Sequence, residues 1–266
     1  MFEQPNDFRE ESDALHSLLS GLDDEGFEKP TQFKQWTIND VVSHLHAWNI
    51  AADLSLRDPE KFSAFREKLF EDIGAGATIR QAEKGWLEPC SGRALLDAWH
   101  GFSCEMADRF ADADPKMRVQ WAGPDMSVRS SITARLMETW AHGQEIYDTL
   151  GVSRVDADRI RNIATLGVNT FGWTFINRGL EVPGNPPHVC LTAPSGAVWT
   201  WNEPSDSERV EGDATEFCQV VTQVRALGDT QLKVVGEVAE RWMSIAQCFA
   251  GAPEDPPAPG TRFTAN

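Results

Sequence analysis

The sequence is poor in basic residues and in tyrosine, and it has no long apolar run. Lysine and arginine number 24 against 41 acidic residues, which gives a formal net charge of −17 over 266 residues. A field of this sign repels phosphate backbones and anionic lipid, so nucleic acid and membrane surfaces are disfavoured as partners. An anionic substrate would therefore need a local cation to hold it.

Cysteine is also scarce and scattered. The five cysteines include no C-x-x-C pair, which favours free thiols of a reducing compartment over a disulfide framework or a zinc knuckle. No basic segment precedes an apolar one at the N-terminus, and the mean hydropathy is −0.38. We therefore expect a cytoplasmic protein without a signal peptide.

The remaining composition is that of an ordinary globular protein. Hydrophobic residues make up 41% and charged residues 24%, and the length suits one large domain or two smaller ones. Ten tryptophans stand against one tyrosine. Most of these tryptophans fall in helical patterns, where packing in the core is the expected role.

Apolar residues recur at spacings of three and four through most of the first 180 residues, which indicates amphipathic helices. Thr37 and Asp40 form a helix start signal close to a capping box, with Trp36 in the staple position. Helices are predicted over about 6–22, after Thr37, near 62–70, and over about 91–114, 127–150 and 156–179.

The pattern changes after a linker rich in proline and glycine, "LEVPGNPPH". The runs "HVCLTA" and "AVWTW" predict a hairpin, followed by a helix near 213–227, a strand at "QLKVV" and a helix near 237–249. Three segments are therefore predicted. They are a helical bundle over 1–182, a small α+β domain over 183–251, and a disordered proline-rich tail over 252–266.

The helix predicted over 127–150 carries ionisable groups on its apolar stripe, namely Glu138, His142 and Glu145. Buried charges are costly unless something pairs with them, and a metal ion would be such a partner. Residues four apart lie one above the other on a helix, so Glu138 and His142 could hold a single ion. The best third ligand is His44, which has apolar neighbours on its own helix face, whereas His46 points away from it.

Other interpretations of these residues stay open. A Glu-x-x-x-His pair is more often a surface or capping pair, and a lone histidine is more often part of the core. A carboxylate-bridged di-iron bundle is disfavoured, because "DAWH" (Asp97 to His100) offers one Asp-x-x-His and no second copy. A fourth protein ligand such as Glu145 would favour a closed, non-catalytic site with a sensing, sequestration or structural role, whereas three ligands favour catalysis.

Two segments resemble the metal-binding motifs of the mycothiol-dependent maleylpyruvate isomerase family, which is part of the DinB-like superfamily. They are "WTINDVVSHLHAW" and "ETWAHGQEIYDTLG". The stretch from "HVCLTAPSGAVWTW" to "GDATEFCQVVTQVRALGDTQLKVVGEVAERW" resembles the small C-terminal domain of that family. The resemblance covers about residues 8–250. It implies a mainly α fold, in which a DinB-like up-and-down four-helix bundle precedes a small α+β domain.

The resemblance also assigns residues. His44, Glu138 and His142 match the three metal ligands of the family, which holds a divalent ion, usually zinc. An open coordination position there accepts a low-molecular-weight thiol as thiolate. Arg225 matches an arginine that faces the active site from the C-terminal domain. Glu145 stands where the family usually has aspartate, and we expect it to orient His142 from outside the ligand set.

The function implied is a metal-dependent and thiol-dependent isomerase or S-transferase. Its partners would be a small electrophilic substrate bearing a carboxylate and a thiol cosubstrate, which is mycothiol or another thiol such as glutathione. Neither nucleic acid nor membrane is expected as a partner. The sequence leaves open the thiol, the electrophile, the metal and the oligomeric state.

Overall fold

Helices dominate the protein, which confirms the mainly α prediction. The structure, a computed structural model, describes residues 2–87 and 89–265. The chain divides into two compact units, which separate between Thr149 and Leu150. None of the described helices is long and apolar enough to span a membrane.

Long helices make up most of the first unit. Its elements are α1 (Gln4–Leu19), α2 (Asp24–Phe27), α3 (Ile38–Arg57), α4 (Pro59–Gly74), α5 (Ile79–Lys84), α6 (Gly92–Asp112), the antiparallel pair β1 (Arg118–Val119) and β2 (Met126–Ser127), and α7 (Val128–Leu150). Helix α6 packs along both α1 and α3, and α4 and the short α5 pack against α3.

Helix α3 begins at the predicted capping box. The Thr37 hydroxyl accepts a hydrogen bond from the backbone N–H of Asp40, and the Asp40 carboxylate accepts one from the N–H of Thr37. These two bonds satisfy N–H groups that a helix start leaves without partners. The face that follows buries Val41, Leu45 and Trp48 and carries His44 among them.

Helix α7 is buried around most of its circumference, so polar side chains on it lie inside the unit. It ends one residue before Gly151, whose φ of +66° gives the left-handed turn that commonly closes a helix. The prediction for 127–150 is therefore confirmed to within a residue. Arg135 is 2% exposed, and its Nε donates to Oδ1 of Asn49 on α3 at 3.0 Å. This bond joins the two helices in the interior.

The second unit combines short helices with a four-stranded sheet of order β4-β3-β5-β6. The predicted hairpin is present, because β3 and β4 pair antiparallel, while β3 and β5 run parallel. Its elements are a 3₁₀ turn (Asp158–Ile160), α8 (Arg161–Asn169), α9 (Phe171–Asn177), β3 (His188–Thr192), β4 (Val198–Trp201), β5 (Arg209–Asp213), α10 (Ala214–Val221), a second 3₁₀ turn (Leu227–Asp229), β6 (Lys233–Val235) and α11 (Glu237–Met243).

The predicted boundary at residue 182 differs from the observed one, because α8 and α9 belong to the second unit. Gly167 of α8 lies so close to Phe217 and Val221 of α10 that an added Cβ would come within 2.8 Å of Val221. Moreover, the single helix predicted over 156–179 is interrupted at Thr170. The hydroxyl of Thr170 donates to the backbone carbonyl of Leu166 at 2.8 Å. Such a bond from a side chain to the preceding turn is typical of helix bends.

The segment predicted to be a disordered tail is attached to the second unit over residues 252–265. The Glu254 N–H donates to Oε1 of Gln247 at 2.9 Å, and the Gly260 N–H donates to Asp229 at 2.8 Å. Composition alone does not reveal these partners, because both are side chains of earlier segments. Residue 266 lies outside the described residues.

Candidate metal centre

Helices α3 and α7 bring His44, Glu138 and His142 together. Oε2 of Glu138 lies 3.4 Å from Nε2 of His142 and 3.9 Å from Nε2 of His44. The ligating atoms of the three residues all lie within 4.8 Å of one another. We call these three residues the metal centre. The sequence placed Glu138 and His142 one turn apart, and the structure brings His44 to the same point.

The other ring nitrogen of each imidazole is held by a buried carboxylate. Nδ1 of His44 donates to Oε1 of Glu83 at 2.9 Å, and Nδ1 of His142 donates to Oε2 of Glu145 at 2.9 Å. A carboxylate only accepts hydrogen bonds, so each Nδ1 carries a hydrogen and each Nε2 is directed to the metal centre. Glu145 thus lies on the far side of His142 from Glu138.

Glu83 was not identified from the sequence. It lies on the short helix α5 and is 2% exposed, and its Oε1 also accepts a hydrogen bond from Nε1 of Trp48 at 2.6 Å. A capping box at Thr78 and Gln81 starts this helix. The T-x-x-Q pattern could have predicted the helix. Nothing in the sequence near Glu83 signals that its side chain is buried.

Aromatic rings enclose the two imidazoles. The Trp36 ring lies 5.2 Å from the His44 ring and 6.2 Å from the His142 ring, and it is nearly parallel to the latter. Phe33 approaches His142 at 5.2 Å, edge to face. These rings exclude water on one side of the metal centre and lower the local dielectric constant, which strengthens electrostatic interactions there.

The surrounding charges set the proton affinity of the metal-free centre. Burial lowers the pKa of His142, but the charge of Glu145 and hydrogen bonds with Glu138 and Glu145 outweigh it and raise this pKa to about 10. Burial also lowers the pKa of His44. The charge of Glu83 and the hydrogen bonds with Glu138 and Glu83 outweigh this effect, so the pKa of His44 is raised above its ordinary value. The His142 imidazole therefore holds a second proton at neutral pH when no metal is bound.

The pKa of Glu138 is shifted in the opposite direction, to a lower value. Burial raises its pKa, but hydrogen bonds with His142 and His44 and the charge of Arg135 hold it well below its ordinary value. The side chain is thus a carboxylate at neutral pH, as a metal ligand has to be.

The residues present fit a divalent ion. Two imidazole nitrogens and one carboxylate oxygen form a donor set that suits zinc, and both imidazoles have the carboxylate partner on Nδ1 that metal-binding histidines usually have. Among residues 2–87 and 89–265, the cluster contains three protein donors. A three-donor set of this kind leaves one coordination position for a small molecule.

The sequence also singled out His46 and Arg225. His46 points away from His44, and its ring packs edge to face on Phe102 at 5.6 Å. Arg225 lies in the second unit, in the segment that follows α10. It is 9% exposed, and its Nη1 donates to the carbonyl of Val224 at 3.1 Å. Its catalytic role stays a prediction.

Comparisons with known proteins agree with the motifs. Residues 8–147 match the model of the mycothiol maleylpyruvate isomerase N-terminal domain. An uncharacterized protein of Mycobacterium tuberculosis, found in two strains, is 38% identical over 247 residues, which is 93% of this chain and 95% of the relative.

The crystal structure of the mycothiol-dependent maleylpyruvate isomerase shares the fold, and so does that of a mutant of it. Each gives a TM-score of 0.52 at 15% identity and covers 82% of this chain and 87% of the other. The chain therefore belongs to the mycothiol-dependent maleylpyruvate isomerase-like family.

Proposed function

We propose that this protein is a metal-dependent and thiol-dependent isomerase or S-transferase that acts on a small electrophile bearing a carboxylate. The main support for this proposal is that the Nε2 atoms of His44 and His142 both point to one oxygen of Glu138. In addition, a buried carboxylate contacts the other ring nitrogen of each imidazole. We further infer that the long helices α1, α3, α6 and α7 form the DinB-like four-helix bundle.

Each side chain has a definite part in this proposal. His44, Glu138 and His142 would hold the divalent ion, while Glu83 and Glu145 keep the two imidazoles in the tautomer that presents Nε2. Trp36 and Phe33 exclude water, so that a bound sulfur anion is not stabilised by solvent. The ion, when bound, would lower the pKa of a thiol cosubstrate so that it reacts as thiolate.

In the isomerisation, the thiol sulfur adds to an activated double bond of the electrophile. Rotation follows about the resulting single bond, and the sulfur then leaves with its electron pair, which restores the double bond. In the transfer reaction, the sulfur stays attached to the electrophile. It either adds to the double bond, and the neighbouring carbon takes up a proton, or it displaces a leaving group, which departs with its electron pair. Either reaction needs a cation for the substrate carboxylate. We assign this role to Arg225 on the basis of the family resemblance.

A second candidate function is a non-catalytic metal-binding bundle with a sensing, sequestration or structural role. The position of Glu145 favours catalysis, because its carboxylate is engaged with Nδ1 of His142 rather than grouped with the three donors. A fourth protein ligand would have closed the position that a thiol needs.

Cobalt(II) substitution tests the choice between the two functions. Cobalt-loaded protein should change its visible absorption when mycothiol or glutathione is added, because sulfur enters the open position. The thiol that binds should also support turnover of maleylpyruvate or a related unsaturated keto acid. As a control, an oxygen analogue of the thiol should leave the spectrum unchanged. A spectrum that no thiol alters, with no thiol-dependent turnover, would favour the non-catalytic function.

A further inference from the structure

A second group of potential ligands lies where α1 and α6 pack together. Nε2 of His100 lies 2.6 Å from Oδ1 of Asp13 and 3.8 Å from Sγ of Cys104. The three ligating atoms all lie within 4.8 Å of one another. We call Asp13, His100 and Cys104 the seam cluster. None of its members belongs to the metal centre or to the chemistry proposed for it.

Local structure positions these side chains. His100 and Cys104 are four residues apart on α6, so they lie one above the other on the face that packs against α1. The ring of His16, three residues after Asp13 on α1, stacks on the His100 ring at 4.1 Å with 21° between the planes. This stacking restricts the His100 ring to the orientation that directs Nε2 at Asp13.

The backbone beside Cys104 is also tethered. Nη2 of Arg9 on α1 donates to the carbonyl of Cys104 at 2.9 Å and pairs with Oδ1 of Asp108 at 2.6 Å. These two contacts hold this turn of α6 against α1. The sulfur of Cys104 therefore stays near the other two ligating atoms without a movement of either helix.

The seam cluster is accessible from solvent. The side chains of Asp13 and His100 are 52% and 25% exposed, and Cys104 is half-buried. Burial and the charge of Asp13 raise the pKa of the Cys104 thiol above its ordinary value. The metal-free thiol is therefore protonated at neutral pH and is a poor nucleophile, which disfavours a redox role for this cysteine.

We propose that Asp13, His100 and Cys104 bind a second divalent cation of the borderline-soft class that zinc represents. Oδ1, Nε2 and Sγ would be the ligands, and water would complete the coordination. Imidazole with thiolate selects zinc or cobalt over magnesium and calcium, which prefer oxygen ligands. Binding releases the proton of the Cys104 thiol to solvent, and the His100 imidazole binds through Nε2 as the neutral tautomer that carries its hydrogen on Nδ1.

The bound cation would link two helices that are distant in sequence, since Asp13 and His100 are 87 residues apart. A ligand that binds the folded state and not the unfolded state stabilises the fold by mass action. The predicted effect is therefore a rise in Tm that depends on zinc concentration. This rise should persist in a variant that has lost the metal centre.

Cobalt(II) titration without added thiol tests the proposal in His142→Ala protein. Cobalt bound to thiolate absorbs in the near ultraviolet by charge transfer from sulfur, and the metal centre contains no cysteine. We expect this absorption in His142→Ala, and we expect its loss when Cys104→Ser is added. Cys90→Ser in the same background is the matched control, because Cys90 is an exposed thiol elsewhere. This control should keep the absorption.

His100→Ala and Asp13→Asn should each raise the cobalt dissociation constant of the seam cluster by more than about tenfold, because each removes a direct ligand. Unchanged helical content and metal-free Tm would show that these variants fold. Absence of the charge-transfer absorption from His142→Ala, or its persistence in the Cys104→Ser variant, would overturn the proposal. Neither outcome bears on the function proposed for the metal centre, because the test contains no thiol cosubstrate.

Discussion

The metal centre and the seam cluster both combine imidazole with carboxylate, but at different depths. The side chains of His142 and Glu138 are 10% and 23% exposed, whereas those of His100 and Asp13 are 25% and 52% exposed. In the metal centre, a carboxylate holds Nδ1 of each histidine and leaves Nε2 for a ligand. In the seam cluster, the carboxylate of Asp13 is hydrogen-bonded to Nε2 of His100, the atom that would bind the ion.

This difference has an energetic meaning. A surface pair such as Asp13 and His100 changes the free energy of folding little, because solvent screens its electrostatic interaction. A desolvation penalty attaches to the two imidazoles, to the buried Glu83 and Glu145 and to the partly buried Glu138, and packed apolar residues would avoid it. Such an arrangement is expected where function demands it. The two groups therefore differ both in the depth of their charges and in the thiol, which the seam cluster contains and the metal centre lacks.

The largest expected effect is the loss of metal binding when His44 of α3 is replaced. His44→Ala removes a proposed ligand of the metal centre and should weaken binding of its ion by more than about 100-fold, beyond what a lost supporting contact costs. His46→Ala is the matched control, since His46 lies on the same helix and packs on Phe102 instead. Elemental analysis after dialysis, with both variants in a Cys104→Ser background that lacks the thiol of the seam cluster, would measure the metal bound at the metal centre. Equal metal loss in both variants would mean that His44 acts only through folding.

A smaller effect is expected from the carboxylates behind the imidazoles. Glu83→Gln and Glu145→Gln keep an acceptor near Nδ1 but remove its charge, so each should weaken metal binding by about 10–100-fold without abolishing it. Asp97→Asn is the matched control, because Asp97 contacts Nε2 of His16 at 3.5 Å beside the seam cluster and is largely exposed. Metal affinities from competition with a chelator would test this. Complete metal loss in Glu145→Gln would instead make Glu145 a ligand.

The sequence predicted those parts of the metal centre that depend on local periodicity. Glu138 and His142 share one helix, so their spacing determines their proximity, and the capping box at Thr37 set the start of the helix that carries His44. Glu83 could not be found in this way, because its partners His44 and Trp48 lie 39 and 35 residues away. Its burial results from the packing of α5 on α3, which no local pattern encodes.

The same limit applies to the fold. The spacing on α6 relates His100 to Cys104, but only the packing of α6 on α1 brings Asp13 to them. The boundary at Thr149 likewise depends on the contact of Gly167 with Val221, 54 residues later, and not on the composition of the linker after residue 180. The proline-rich linker was therefore a good predictor of a loop and a poor predictor of a boundary between units.

The smallest expected effect is on the pH dependence of stability and of metal affinity. It follows from the charges around the metal centre. In the metal-free protein, His142 has its pKa raised from 6.5 to about 10, so its protonated form stabilises the fold. That contribution is complete below pH 6.5 and is lost as the pH rises towards 10. The metal needs the same nitrogen without its proton, so metal affinity should rise over the pH range in which the metal-free protein loses stability.

Thermal unfolding with and without metal would measure both trends in one series. The Tm of the metal-free protein should fall by a few degrees between pH 6.5 and about 9, while the rise in Tm on adding metal should grow over the same range. His142→Gln keeps the size of the side chain but cannot be protonated, so its metal-free Tm should depend less on pH. An imidazole with an ordinary pKa would instead give a metal affinity that is already nearly constant above about pH 7.5. That result would show that Glu145 does not hold a proton on His142 in the metal-free centre.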